Sequence, residues 1–322
     1  ALEKKLLYKG NMAQQNYSKI IGQEKTKGKL NFLLEGFNQT KVMPHLLFVA
    51  PRGCGKTMIA QETSKIMNRE RNVIVNCSTI KNVKSFFNQI MLPYVYDKDT
   101  TIIFDEASEL PRDVTMALLT ILNPNQNNSN DFTFEDGTYT FRFNQNSFIF
   151  CTTEAQKIFH ALADRLYRID MEDYSYVQLG QIIQNNLKSK SQFIEEDIIN
   201  EIASVCRGNA RQAQSMANQI SSYLSSKKSN KLTSGGWSEI KGKLSIYPLG
   251  LSEIELNVIK ILKEYGELRL TNLSAKTNLT KDMLQKNVEL YLMRNSLIEI
   301  RPTGRALTKR GFDYHKEHLE KV

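Results

Sequence analysis

The sequence predicts an α/β protein in three parts: a parallel sheet covered by helices, a helical segment, and a C-terminal winged helix. Three observations predict it. Up to about residue 170, apolar runs of four or five residues alternate with helical patterns, as in a sheet buried on both faces. From 174 to 224 apolar residues recur every three or four positions. The last 75 residues read as three helices followed by two short strands around a Pro-Thr-Gly turn. The boundaries fall at 1–170, 171–247 and 248–322.

In order, the strand-length runs are 46–50, 73–77, 101–104, 148–152 and 166–169. Helical patterns occupy 56–68, 83–90, 111–122 and 155–163. Segment 131–143, Asp-Phe-Thr-Phe-Glu-Asp-Gly-Thr-Tyr-Thr-Phe-Arg-Phe, breaks the alternation. Its period of two and its Asp136-Gly137 pair predict a β-hairpin inserted into the sheet domain. Helices follow at 176–187, 195–206 and 210–224. The Ser-, Lys-, Asn- and Gly-rich stretch 225–236 reads as a loop or hinge, and 237–244 as one more short helix. Ser252-Glu253-Ile254-Glu255 is a capping box that opens a helix to Tyr265. Helices at 270–277 and 282–294 follow. Strands between 297 and 307 turn at Pro302-Thr303-Gly304.

The 322 residues are 41% hydrophobic and 24% charged, ordinary for a globular protein, and no apolar run reaches the ~18 residues of a membrane span. Residues 1–8 show no secretory signal. Cys54, Cys77, Cys151 and Cys206 lie far apart, without metal-ligand spacing, and read as reduced thiols of a cytoplasmic protein. His315 and His318 share a helix face, which reads as solvated. The net charge of +9 favours an anionic partner, nucleic acid or acidic lipid. Residues 231–322 hold 16 Lys/Arg against 11 Asp/Glu, so over half of that excess sits in the last third.

The most informative stretch is Ala50-Pro51-Arg52-Gly53-Cys54-Gly55-Lys56-Thr57, a glycine-rich loop between a strand and a helix. Gly53 and Gly55 let backbone N–H groups wrap phosphates. Lys56 brings a charge to the β- and γ-phosphates, and Thr57 brings a hydroxyl to Mg²⁺. Thr101-Ile102-Ile103-Phe104-Asp105-Glu106 is an apolar strand ending in two acids, costly at a buried strand end unless a cation or a reaction uses them. Asp105 then holds Mg²⁺, and Glu106 orients or deprotonates an attacking water. ATP with Mg²⁺ is therefore the expected ligand. Hydrolysis needs further positive charge at the γ-phosphate. Arg165, after Asp164, is the candidate finger for a neighbouring subunit's site, with Arg168 as its competitor. Arg211, opening a helix, is placed to sense the phosphates. Thr152 and Thr153, at a strand end, suit the γ-phosphate or the water.

The C-terminal part reads as the nucleic-acid module. Helix 282–294, with Lys281 and Lys286 near its start, would enter a groove. Arg301 and Arg305 flank the glycine turn, with Lys309 and Arg310 just beyond, and suit phosphate contact without sequence selection. Use of the winged helix for protein contact is the other reading. The hairpin faces a partner protein or a ring's central pore, or else packs its phenylalanines on its own domain.

This order of parts resembles the AAA+ class of P-loop ATPases, and more closely the RuvB family of Holliday-junction branch-migration motors, from about Tyr17 to the C-terminus. The phosphate loop, the acidic pair, the hairpin and the Thr pair are similar in order. Ala163-Asp164-Arg165-Leu166 looks like the family's finger segment, and Arg207-Gly208-Asn209-Ala210-Arg211 like its second sensor. Arg301-Pro302-Thr303-Gly304-Arg305 looks like its DNA-contacting wing. The resemblance implies that the segment containing Ile20 and Ile21 packs on adenine. It departs from the family in Arg52 and Cys54 of the phosphate loop, in Ala107-Ser108 after the acids, in Glu154 after the Thr pair, and in Ala163. These departures read as a divergent relative, a virus-encoded one in the host cytoplasm included.

The expected function is an ATP-hydrolysing DNA motor. It would act as a homo-oligomer, a hexameric ring on duplex or four-way-junction DNA, with a junction-recognition or replication protein as partner and no membrane. The resemblance implies branch migration in recombination and repair. Two alternatives stand beside it: a replication initiator or helicase/clamp loader, whose clamp-loading members carry Ser-Arg-Cys where this chain has Ala-Asp-Arg, and a scaffold whose assembly ATP controls.

Overall fold

The structure is a computed structural model describing residues 17–320. Residues 1–8, read above for a leader, lie outside the described residues, as does the start of the first predicted domain. The chain divides into two compact units. Within the described residues, one holds 17–189 and 208–218, and the other holds 190–207 and 219–320.

The first unit is built on a five-stranded parallel sheet: β1 (Leu46–Val49), β2 (Arg71–Asn76), β3 (Thr100–Asp105), β6 (Asn146–Thr152) and β7 (Tyr167–Asp170), in spatial order β2-β3-β6-β1-β7. Helices α1 (Glu24–Thr40), α2 (Lys56–Met67), α3 (Val83–Phe86) and α4 (Arg112–Ile121) accompany it. The central strands β1, β3 and β6 are almost wholly buried because both of their faces are covered, whereas the edge strands β2 and β7 are largely exposed. Leu46, Phe48, Ile103 and Ile149 fill one core, while Leu47, Ile102, Phe104, Phe148 and Phe150 fill the other. Since β6 lies between β1 and β3, the C-terminal ends of these three strands are neighbours, where open parallel sheets build their ligand crevices.

Three local expectations in the first unit are corrected. The helix expected at 83–90 starts with an Asn82–Ser85 capping box but widens into a π-helix at Phe87–Val95. Pro93 has no N–H for the ordinary ladder, and the wider turn places Phe87, Met91 and Val95 in the core. The segment expected as one helix at 155–163 is a single turn at Ala155–Lys157 and a short helix α5 at His160–Ala163. Buried Ile158 sits in the extended break between them.

The third correction concerns the hairpin, β4 (Ser129–Phe134) and β5 (Gly137–Arg142), which turns one residue earlier than Asp136-Gly137 implies. Glu135 and Asp136 form the loop, Glu135 with a φ of 51°, and Gly137 pairs with Phe134. This register puts Phe132, Phe134, Tyr139 and Phe141 on one face, and a slip of one residue would turn them all outward. Phe132 and Phe134 stack on Phe87 at 4.8 and 4.6 Å, and Tyr139 meets Tyr96 edge-on at 5.1 Å. Of the readings left open by the sequence, the hairpin takes the one that packs its phenylalanines on its own domain.

Helix α6 (Tyr176–Lys188) completes the first unit's main elements, with a Ser175–Gln178 capping box. In the second unit, α7 (Glu196–Ser204) lies beside a pair of two-residue parallel strands, β8 (Phe193–Ile194) and β9 (Lys231–Leu232). Helix α8 (Ala210–Ser226) begins in the first unit and ends in the second. The stretch 225–236, expected as a loop or hinge, shrinks to a few residues pinned by β9, and α9 (Ser234–Leu244) starts early because Thr233 caps it. Then come α10 (Glu253–Tyr265), opened by the Ser252–Glu255 capping box, and α11 (Leu270–Thr277). A helical run follows: α12 (Lys281–Met283), a π stretch (Leu284–Glu289) and α13 (Leu290–Arg294). The wing, β10 (Ile298–Ile300) and β11 (Arg305–Leu307), precedes α14 (Lys309–His318). Leu268 adds a bridge to Arg305, and Gly304 is required there because a Cβ would meet the Leu268 carbonyl at 2.5 Å. Inside this unit Arg207 forks onto Glu255 at 3.0 and 2.7 Å and lies 3.5 Å from the centre of the Tyr291 ring.

Candidate active site

A cavity of about 700 Å³ opens at the C-terminal ends of β1, β3 and β6, wholly within the first unit. Its floor is the phosphate loop. Gly53 and Gly55 have φ of 79° and 85°, a conformation that lets the chain curl around an anion. Arg52, Gly53, Gly55, Lys56 and Thr57 all line the cavity. Cys54, counted with them from the sequence, does not: its thiol is 1% exposed in the core, 3.6 Å from Asp173.

Lys56 opens α2 and is itself buried. Its Nζ donates to the carbonyls of Ala50 at 2.8 Å and Pro51 at 3.0 Å. Burial holds the ammonium below the ordinary lysine range; the Arg211 charge adds to this and Asp105 opposes it. Both hydrogen-bond partners are neutral, so the field of this cation extends into the cavity. The Thr57 hydroxyl donates to Asp105 Oδ2 at 2.9 Å. A hydroxyl and a carboxylate side by side are the oxygen donors that a hard divalent cation takes. Among the described residues no cluster of three or more His, Cys, Asp or Glu offers an alternative metal site.

Glu106 lines the same cavity with a left-handed backbone, φ 54°, uncommon for a residue with a Cβ. Such strain is often kept where a side chain must be aimed. Thr152, Thr153, Ile20, Ile21 and Arg211 also reach the wall. Thr152 is fully buried, and its hydroxyl accepts from the Glu154 N–H at 3.0 Å, while Thr153 is exposed. Arg165 lines no part of its own chain's cavity. Its guanidinium donates to Ala161 O at 2.6 Å and Asn123 Oδ1 at 3.1 Å. Arg168, its competitor, is paired with Asp170 at 2.7 Å.

Sequence reasoning missed two groups. Tyr174, whose hydroxyl lies against Gly55, and Ile182 and Asn186 of α6 with Ser189 just after it also line the cavity. Burial raises the Tyr174 phenol above its ordinary range. The Tyr174 position just before the Ser175 cap was the available signal. Asn209 was also missed. A helix-capping residue type before Ala210 is visible in the sequence, but its grip on the phosphate loop is a tertiary fact.

In the second unit the four predicted DNA-contacting cations have different surroundings. Lys309 and Arg310 are exposed at the start of α14. Arg301 is half-exposed and bonds Glu299 at 2.8 Å through Nε. Arg305 requires a correction: its Nε and Nη2 donate to Glu289 at 2.8 and 3.2 Å, and that carboxylate is 1% exposed. Arg305 fastens β11 to the preceding helical run and offers no free fork to a phosphate.

Residues 46–175 match the model of the ATPase family associated with various cellular activities (AAA), and residues 248–316 match the RuvB C-terminal winged helix domain. Similarity extends along most of the chain. The Holliday junction branch migration complex subunit RuvB of Wolbachia sp. subsp. Brugia malayi (strain TRS) is 25% identical over 315 residues, covering 94% of this chain and 93% of that protein. The protein of the same name from Mycoplasmopsis pulmonis (strain UAB CTIP) is 25% identical over 324 residues, covering 95% and 98%. Among solved structures, the Thermotoga maritima RuvB Holliday junction branch migration motor has a TM-score of 0.75 at 21% identity, covering 93% of this chain and 96% of that one, a likeness in fold. The chain thus carries an AAA-type ATPase domain at residues 46–175, built on the parallel sheet, and a RuvB-type winged helix domain at residues 248–316, and it resembles the RuvB family along nearly its whole length.

Proposed function

We propose that this protein is an ATP-driven DNA motor of the RuvB type, moving duplex DNA to migrate a four-way junction. The convergence of Lys56, Thr57, Asp105 and Glu106 on one cavity supports this reading, in a chain similar throughout to proteins named for branch migration. The phosphate-loop amides and Lys56 would grip the triphosphate. Thr57 and Asp105 would hold Mg²⁺, which when bound neutralises phosphate charge as a Lewis acid. Glu106 would hold the attacking water and draw off its proton as the bond to the terminal phosphoryl group breaks. Thr152 and Thr153 stand at the strand end next to that position. Ile20 and Ile21 would carry the base.

Arg165 acts in the cavity of a second copy, which makes the working form a ring, expected to be hexameric. Arg211 reports the phosphate state to helix α8. The exposed cations Lys309 and Arg310 meet DNA phosphates and follow the duplex without reading its sequence, and Arg301 joins them only by leaving Glu299 and Glu267. The test is migration of a synthetic four-way junction by the purified protein with ATP and Mg²⁺, alongside electron microscopy with an ATP analogue. A ring threaded by duplex and migration that Glu106→Gln abolishes are expected. An open spiral carrying another protein, with no junction movement, would put a loader in its place.

A further inference from the structure

We propose that Asn209 is a positioning residue that sets the orientation of the phosphate-loop amides. The inference rests on the cavity being a nucleotide site. Asn209 precedes α8, and its side-chain oxygen accepts from the N–H groups of Arg211 at 2.9 Å and Gln212 at 3.1 Å, an N-cap arrangement. Its side-chain nitrogen points the other way and donates to the Arg52 carbonyl at 2.9 Å. The Arg211 N–H lies 3.4 Å from the Gly53 carbonyl, a weaker contact on the next peptide.

The peptide group is planar and trans, so its C=O and N–H point in opposite directions. Holding the Arg52 carbonyl on Asn209 therefore turns the Gly53 N–H away from Asn209. The Gly53 carbonyl, lying toward the Arg211 N–H, turns the Cys54 N–H in the same way. Gly53 lines the cavity, whereas Asn209 does not. The approach is close enough that a Cβ on Gly53 would lie 2.0 Å from the Asn209 side-chain oxygen. One carboxamide thus starts the helix that carries Arg211 and fixes the peptide that must offer its N–H to phosphate.

The two jobs separate by substitution. Asn209→Thr keeps a capping oxygen and loses the donor, and Asn209→Ala loses both. Binding of a fluorescent ADP analogue to the full chain should weaken roughly fivefold or more in Asn209→Thr, the size of one lost hydrogen bond. Its melting temperature should stay close to wild type, and in turnover KM should rise with kcat little changed. Asn209→Ala should show the same weakening with a lower melting temperature. Gly53→Ala supplies an independent check, since its backbone strain is the same in any background but its clash needs Asn209. It should weaken binding less in the Asn209→Ala background than in wild type. Asn209→Thr binding and KM equal to wild type, or a Gly53→Ala effect identical in both backgrounds, would overturn the proposal. Failure of the wild type to bind the analogue would instead defeat the nucleotide reading itself.

Discussion

Lys56 in the phosphate loop and Arg305 in the wing are both cations drawn out of water, and they are used oppositely. Lys56 rests on two neutral carbonyls, so its charge is left over for something else. Arg305 forks onto Glu289, a carboxylate buried as deeply as a core leucine, and the two charges cancel. A basic residue in a functional-looking motif is therefore not yet a ligand contact. What decides is whether a carboxylate already holds it. By that criterion Lys309 and Arg310 are the wing's available cations, and Arg305 is part of its framework.

This contrast is open to direct attack. Lys56→Ala should reduce ATP turnover by roughly a thousandfold or more, the scale of losing a transition-state cation, while the melting temperature barely moves. Unchanged turnover would remove Lys56 from the site. Arg305→Ala should do the reverse, costing about 3–5 kcal/mol in the second unit because Glu289 is left buried and unpaired. An Arg305→Met/Glu289→Gln double variant should recover much of that stability, and chemical denaturation measures both. DNA affinity that falls in the double variant as far as in Arg305→Ala would return Arg305 to the interface.

His45 shows a third treatment, exclusion of charge altogether. Its ring packs edge-on to Phe143 and Phe148, its Nδ1 has no hydrogen-bond partner among the described residues, and burial lowers its pKa to about 4. The unfolded chain takes up this proton first, near pH 6.5, so the contribution is complete above that pH and is lost as pH falls toward 4. Replacing His45 with Phe should flatten stability over that window by at most about 3 kcal/mol. A pH profile identical to wild type would contradict the assignment. The smallest effect belongs to the exposed pair. Lys309→Ala and Arg310→Ala should each leave stability unchanged and lower the salt dependence of DNA binding by about one counterion.

How far the sequence could be read follows the same division. The phosphate loop, the acidic strand end, the Ser252–Glu255 cap and the wing were legible because neighbouring residues determine them. The hairpin was legible as a hairpin, but its turn shifts by one residue because Phe87, forty-five residues away from Phe132, sets which face must be buried. The π-helix at Phe87–Val95 and the break at Ile158 likewise answer to core packing rather than to local propensity. Cys54 looked like loop chemistry and turned out to be core, while Asn209 looked like a plain helix start and grips the loop. Each of these outcomes depends on a partner distant in sequence, which no local pattern contains.

The central claim is that ATP is cleaved at a seam between two copies and that this is coupled to DNA. The most direct measurement mixes two inactive variants, Lys56→Ala and Arg165→Ala, with a four-way junction and follows ATP turnover. The mixture should regain activity that neither variant has alone, because some seams then pair an intact Lys56 with an intact Arg165. A mixture as silent as its components, or an Arg165→Ala protein that hydrolyses ATP as fast as wild type with or without DNA, would contradict it.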